Sequence, residues 1–167
     1  MKQVLLILLL MTTLSAQSQP GKAFTEKKTF SRTTSISEEI QADPAIVWTL
    51  LTQASDYSRW NSTIVSLEGK IDAGEKIQLK STLDPSRTFK LKVKEMTPER
   101  TLIWGDGLGQ RTYQLEKTDQ GTRFSMVEKI GGPIFPLFAK QIPSFDESFE
   151  QFTADLKKEA ESIAQTK

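Results

Sequence analysis

Residues 144–163, SFDESFEQFTADLKKEAESI, decide how the rest of the chain folds. Apolar residues fall at Phe145, Phe149, Phe152, Leu156, Ala160 and Ile163, spaced 4, 3, 4, 4 and 3 positions apart. That spacing lays them along one stripe of an α-helix with 3.6 residues per turn. Pro143 ends whatever precedes it. Ser144 with Glu147 three residues on forms a capping box, so the helix is expected to begin there. Three phenylalanines in the first two turns are more aromatic surface than a helix needs merely to rest on a sheet. Their face is a wall of either a solid core or a cavity, and the function turns on which.

Working outward from that helix, Phe30 to Ile40 reads as a first strand with Phe30, Thr34, Ile36 and Ile40 on its even-numbered face. Asp43-Pro44 opens a helix, Asp as N-cap and Pro at the first helical position. It carries Ile46, Val47, Leu50 and Leu51 inward, and a second short helix or turn follows over Asp56 to Trp60. From Ser62 the period changes to two. The expected strands are Thr63–Glu68, Lys76–Leu83, Thr88–Met96, Thr101–Trp104, Arg111–Lys117 and Thr122–Ile130. Turn chemistry separates them at Asp72-Ala73-Gly74, Asp84-Pro85-Ser86, Thr97-Pro98-Glu99, Gly105 to Gly109 and Asp119-Gln120-Gly121. Connections this short join antiparallel neighbours, since parallel strands need a crossover. The reading is one α+β domain: a curved antiparallel sheet with a long C-terminal helix laid against it. Within Thr88–Met96, Phe89, Leu91 and Val93 alternate with Lys90, Lys92 and Lys94. The lysines make a solvated face rather than a nucleic-acid stripe.

The first eighteen residues stand apart from this domain. Lys2 precedes an apolar run from Val4 to Leu14 and a small-residue stretch Ala16-Gln17-Ser18, the layout of a secretory signal peptide cleaved after Ser18. An uncleaved anchor is the runner-up. Residues 19–27 read as a flexible lead-in and 28–164 as the domain, placed in the periplasm or outside the cell. Without the leader, 21 basic and 21 acidic residues remain, a balance that offers no electrostatic case for nucleic acid. There is no cysteine and no histidine. That removes the commonest general base, the commonest transition-metal ligand and every Ser-His or Cys-His pair. No metal and no cofactor is expected.

Several pieces taken together resemble the START-related superfamily called SRPBCC, and within it the polyketide cyclase/dehydrase and lipid-transport group. They are Ala42-Asp43-Pro44-Ala45-Ile46-Val47-Trp48 ahead of Trp60-Asn61, Leu102-Ile103-Trp104-Gly105, and Gly121-Thr122-Arg123-Phe124 running into Glu128. Gly131-Gly132 and the closing Phe149, Leu156-Lys157 and Ala160-Glu161 complete the set. The resemblance covers residues 28 to 164. It implies a helix-grip fold, with a seven-stranded sheet wrapping the C-terminal helix and an apolar cavity left between them. Members mostly bind hydrophobic small molecules and a minority are enzymes, so the likeness speaks to fold more than to activity.

A candidate site follows from strand alternation. Phe124, Met126, Glu128 and Ile130 share one face of the last strand; Arg111, Tyr113 and Leu115 share one face of its neighbour. A tight turn at Gln120-Gly121 sets Tyr113 opposite Glu128, whereas a four-residue turn from Thr118 to Gly121 sets Arg111 there. A carboxylate entering an apolar enclosure must be paired or protonated. Glu128 is therefore either a structural ion pair at the sheet rim or, with Arg111 or Tyr113, the group that orients a ligand's polar end. Trp104 and Phe89 are expected across from Phe145, Phe149 and Phe152. Gly131 to Pro143 is too apolar for a free linker, with Ile134, Phe135, Leu137, Phe138 and Ile142. It is either a short helix packed as core, or a lid that bears Phe138 on the cavity and touches lipid through Ile134–Phe138. Gly105 to Gly109 lacks the spacing of a nucleotide loop. The favoured reading is a monomeric or weakly dimeric carrier of a hydrophobic small molecule. A cyclase/dehydrase-type enzyme using Glu128 with Arg111 or Tyr113 is the alternative.

Overall fold

The computed structural model describes residues 19–166, so the leader read at 1–18 lies outside the described residues. The chain builds one antiparallel sheet of eight strands: β1 (Phe24–Lys28), β2 (Ser31–Ile40), β3 (Ile64–Glu68), β4 (Lys76–Ser81), β5 (Asp84–Thr97), β6 (Thr101–Gly105), β7 (Gly109–Thr118) and β8 (Gly121–Gly131). Their spatial order is β1-β2-β8-β7-β6-β5-β4-β3. The long helix α4 (Asp146–Gln165) packs on the inner face, beside α1 (Pro44–Thr52) and α2 (Tyr57–Trp60). Between β8 and α4 lies the one-turn helix α3 (Phe135–Phe138). This is the helix-grip arrangement with one strand more than the sequence suggests.

The extra strand, β1, falls where the sequence suggests a flexible lead-in. It pairs with β2 from Phe24↔Ser35 to Lys28↔Ser31. Its side chains are too polar to show an alternating pattern, because what fastens it is polar. Thr25 Oγ1 and Thr34 Oγ1 lie 2.7 Å apart, Thr25 Oγ1 also donates to Asp146, and Glu150 on α4 accepts from the Ala23 amide and Lys22 Nζ. Phe30, expected on the inner face, sits in the turn between β1 and β2 and is 59% exposed. Thr34, Ile36 and Ile40 are buried as expected, together with Arg32.

Asp43 caps α1, its Oδ1 accepting from the Ala45 amide at 3.0 Å, with Pro44 at the first turn. Val47, Leu50 and Leu51 are buried, and Ile46 packs half-buried against them. The turn expected at Asp84-Pro85-Ser86 lies earlier, at Thr82-Leu83. Ser81 pairs with Asp84, and Ser81 Oγ accepts from the Leu83 amide. Pro85 is tolerated in β5 because the β4 ladder is irregular between Leu79 and Ser81. The lysine face of β5 is exposed as expected, and Val93 is fully buried.

Helix α4 buries the expected stripe at Phe149, Phe152, Leu156 and Ala160. Its start falls two residues later than Ser144, with Phe145 at the N-cap position and no side-chain cap. Ser144 Oγ accepts from the Asp146 amide at 3.4 Å, so the capping box with Glu147 does not form. Polar bonds fix the helix from Phe152 onward. Asn61 Nδ2 donates to the Phe152 carbonyl, Asp155 accepts from the Ser62 amide and hydroxyl, and Lys157 donates to Glu38 and to the Glu39 carbonyl. The first two turns have no such ties to α2 or β3.

Candidate functional site

Where those ties are missing, helix and sheet part. A cavity of about 540 Å³ lies between the first two turns of α4 and strands β3 to β8. Farther along α4, Leu156 and Ala160 are fully buried in solid core. The phenylalanine stripe therefore serves both purposes, changing from cavity wall to core along one helix. Pockets of this size, mostly apolar with a few convergent polar groups, suit small-molecule ligands.

The cavity's polar end is built by β7 and β8. Their turn, Thr118↔Gly121, sets Arg111 opposite Glu128 and leaves Tyr113 opposite Met126. Of the two registers compatible with the sequence, this is the four-residue turn. Arg111 Nε donates to Glu128 Oε2 at 2.6 Å, with only 16% and 14% of the two side chains exposed. Burial by itself pushes the Arg111 pKa down, but Glu128 and neighbouring groups outweigh it and hold the guanidinium above its usual value. Arg111 also lies over the Phe149 ring, 5.1 Å from its centre, a cation–π contact in a place short of water. Its Nε is used on Glu128.

Of the expected site residues, Phe89, Trp104, Arg111, Met126, Glu128, Phe138, Phe145, Phe149 and Phe152 all line the cavity. Tyr113 and Phe124 do not. They lie in the packed layer beside it, Tyr113 stacked on Phe152 at 5.9 Å, edge-on to Trp104 at 5.0 Å and against Phe124 at 6.1 Å. The Tyr113 hydroxyl is buried and makes no hydrogen bond. Burial raises its pKa to about 12 despite the nearby Arg111, so at neutral pH it is a donor and never a base.

Two arginines beyond those expected stand at or behind the cavity wall. Arg87 lines the cavity from β5 and stacks on Phe89 at 4.5 Å. It shares the odd-numbered face of Phe89, a signal hidden by reading Asp84-Pro85-Ser86 as a turn. Arg32 stands behind Phe145, 4.7 Å from its ring centre. It occupies an even-numbered position on β2, the face expected to point inward. Charge on an inward face was the available sign.

Residues 131–145 cover one side of the cavity. Phe138, Gln141, Ile142, Pro143 and Phe145 line it, while Ile134 and Leu137 point outward, 56% and 81% exposed. Phe135, between the two exposed residues, is buried, so the segment's inner side is packed. Among the described residues, no group of three or more Asp, Glu, His or Cys is placed to hold a metal ion.

Residues 31–161 match the family model described as polyketide cyclase / dehydrase and lipid transport. The chain belongs to that family. The polyketide cyclase/dehydrase and lipid-transport fold also appears in solved structures of low identity. A Mesorhizobium loti protein is 20% identical, with 76% of this chain and 95% of that one covered, at a TM-score of 0.60. A conserved protein of unknown function from Enterococcus faecalis is 15% identical, covering 85% and 78%, at 0.63. A Rhodobacter sphaeroides protein is 18% identical, covering 83% and 97%, at 0.60. At these identities the likeness concerns the fold alone. No curated protein matches the chain.

Proposed function

We propose that this family member binds and carries a hydrophobic small molecule, of lipid, isoprenoid or polyketide-like character, whose one polar end meets the Arg111–Glu128 pair. The observation that carries the reading is the 540 Å³ cavity, walled by Phe89, Trp104, Phe149 and Phe152 and polar at the end where Arg111 lies. An apolar guest gains by leaving water for that wall, roughly 25 cal/mol for each Å² of apolar surface removed. A hydroxyl or carbonyl on the guest would find the terminal amino groups of Arg111.

The site gives less support to catalysis. Glu128 is held in an ion pair and Tyr113 keeps its proton, so neither is poised for acid or base work. The leader layout at 1–18 supports export, and the outward Ile134 and Leu137 support transient contact with a lipid surface during exchange. The charged outer face of β5 fits a monomer or weak dimer.

Solvent extraction of the purified protein followed by mass spectrometry tests the reading, with titration by the apolar fluorophore N-phenyl-1-naphthylamine. A co-purified amphiphile, or saturable probe binding, is expected. A protein that emerges empty and binds no probe refutes it.

A further inference from the structure

The segment that covers the cavity is fastened in an uneven way. At its start, Gly131 donates to the Leu108 carbonyl and Gly132 to the Phe30 carbonyl, both at 3.0 Å. Gly132 has a φ of +132°, with nothing within 4 Å of where a Cβ would stand. Its backbone conformation, rather than crowding, calls for glycine there, as at a pivot. Beyond it, the segment's backbone bonds are internal: Phe135 to Gly132, Leu137 to Ile134 and Ala139 to Phe135. Pro133, Pro136 and Pro143 supply no amide hydrogens at all.

At the far end a single side chain does the fastening. Arg32, buried to 8% exposure on β2, donates through Nη1 to the Ile142 carbonyl at 3.1 Å and through Nη2 to the Pro143 carbonyl at 2.7 Å. Its guanidinium also lies over the Phe145 ring. Among the described residues, these are the only hydrogen bonds from the rest of the domain to residues 133–143. The carboxylates that face Arg32 are Asp146 and Glu128, and neither bonds to it. Asp146 is occupied by Thr25 and Ser144, Glu128 by Arg111. Burial lowers the Arg32 pKa and these two carboxylates oppose that, while the guanidinium is aimed at the two carbonyls. Its planar fork suits a pair of adjacent acceptors as an ammonium would not.

We propose that Arg32 is a clasp. It holds residues 133–143 closed over the cavity, and its release, with Gly132 as pivot, is the step that lets a guest in or out. Ile142 and Pro143 are cavity wall, so letting go of their carbonyls opens the wall itself. This rests on the reading that the cavity holds an apolar guest, yet the clasp can be tested without one.

The test compares the full-length protein with Arg32→Met, which keeps the buried stem without donors, and Arg32→Lys, which keeps charge but can reach one carbonyl. In ligand-free protein, hydrogen–deuterium exchange of the 133–143 amides should rise about tenfold or more in Arg32→Met, because two charge-assisted bonds to charged groups are lost. Arg32→Lys should fall between, while β6 to β8 stay protected. Stopped-flow mixing with N-phenyl-1-naphthylamine should show association and release both faster by a similar factor. The dissociation constant should stay within about threefold, since a gate alters passage rather than the seat. Unchanged exchange at 133–143 in Arg32→Met would overturn the clasp. So would loosened exchange with unaltered probe kinetics. If Arg32→Met fails to fold, Arg32→Lys decides by the same two readouts. A wild type that binds no probe would sink the carrier reading alone, and the exchange arm would still decide the clasp.

Discussion

Removing the Glu128 carboxylate while leaving Arg111 in place should be more damaging than removing both. The pair is short, 2.6 Å, and mostly shielded from water. Glu128→Gln keeps size and one acceptor but strands a guanidinium that stays charged at every workable pH. Breaking a fully buried pair costs about 3–5 kcal/mol, and with part of each side chain wet we expect about 2–3 kcal/mol. In a chain of this length that is a fall of about 4–12 °C in melting temperature. Arg111→Met should lose a similar amount. The double variant Arg111→Met with Glu128→Leu leaves no unpaired charge, and should lie within about 1 kcal/mol of wild type. The resulting coupling, about 3 kcal/mol or more, is read from thermal melts followed by circular dichroism. Ligand discrimination supplies the second half. Competition against N-phenyl-1-naphthylamine should show the double variant weaker for 1-dodecanol by about tenfold, having lost a charge-assisted hydrogen bond. Its affinity for n-dodecane should be unaltered. Additive single losses would refute the claim that the two residues act as one unit. Equal losses for alcohol and hydrocarbon would refute the claim that the pair orients a polar end.

The stripe of α4 should show a gradient in melting experiments: Phe152→Ala, stacked on Tyr113 in packed surroundings, costs about 3–5 kcal/mol, and Phe145→Ala, at the cavity's edge, clearly less. Tyr113→Phe should be neutral or stabilising by about 1 kcal/mol at pH 7, because it removes a buried hydroxyl that has no partner. The same residue sets an alkaline limit. Unfolded tyrosine ionises near pH 10 and this one at about 12, so the unfolded chain sheds its proton first. Stability is then full below about pH 10 and falls as pH rises through 12, a loss that Tyr113→Phe should reduce in pH-dependent denaturant melts. Gly121→Ala should prevent folding, as judged by soluble yield, since a Cβ would stand 2.3 Å from the Ile40 carbonyl oxygen at a φ of +141°. Gly132→Ala, strained in φ but with open space around it, should fold with a loss of about 1–3 kcal/mol.

What the sequence determined by itself was everything that repeats at a fixed local interval. The helical spacing from Phe149 to Ala160, the alternation of Phe89, Leu91 and Val93 with lysines, and the Asp43-Pro44 cap each follow from which residues can share a face over one or two turns. The shared face of Arg111 and Tyr113, and that of Glu128 with Met126, follow in the same way. The tertiary structure decided what depends on how far two distant faces approach. A shift of two residues in register chose Arg111 over Tyr113 as the partner of Glu128, because a strand register moves as a block. Strand β1 came from polar contacts to α4 that leave no hydrophobic pattern. A single aromatic stripe became wall at Phe149 and core at Leu156 because the helix is tied beside α2 from Phe152 onward, while its first two turns are tied only on the β1 side. Arg32 reads as a charge on an inward face until the fold brings two bare carbonyls, more than a hundred residues away, within its reach.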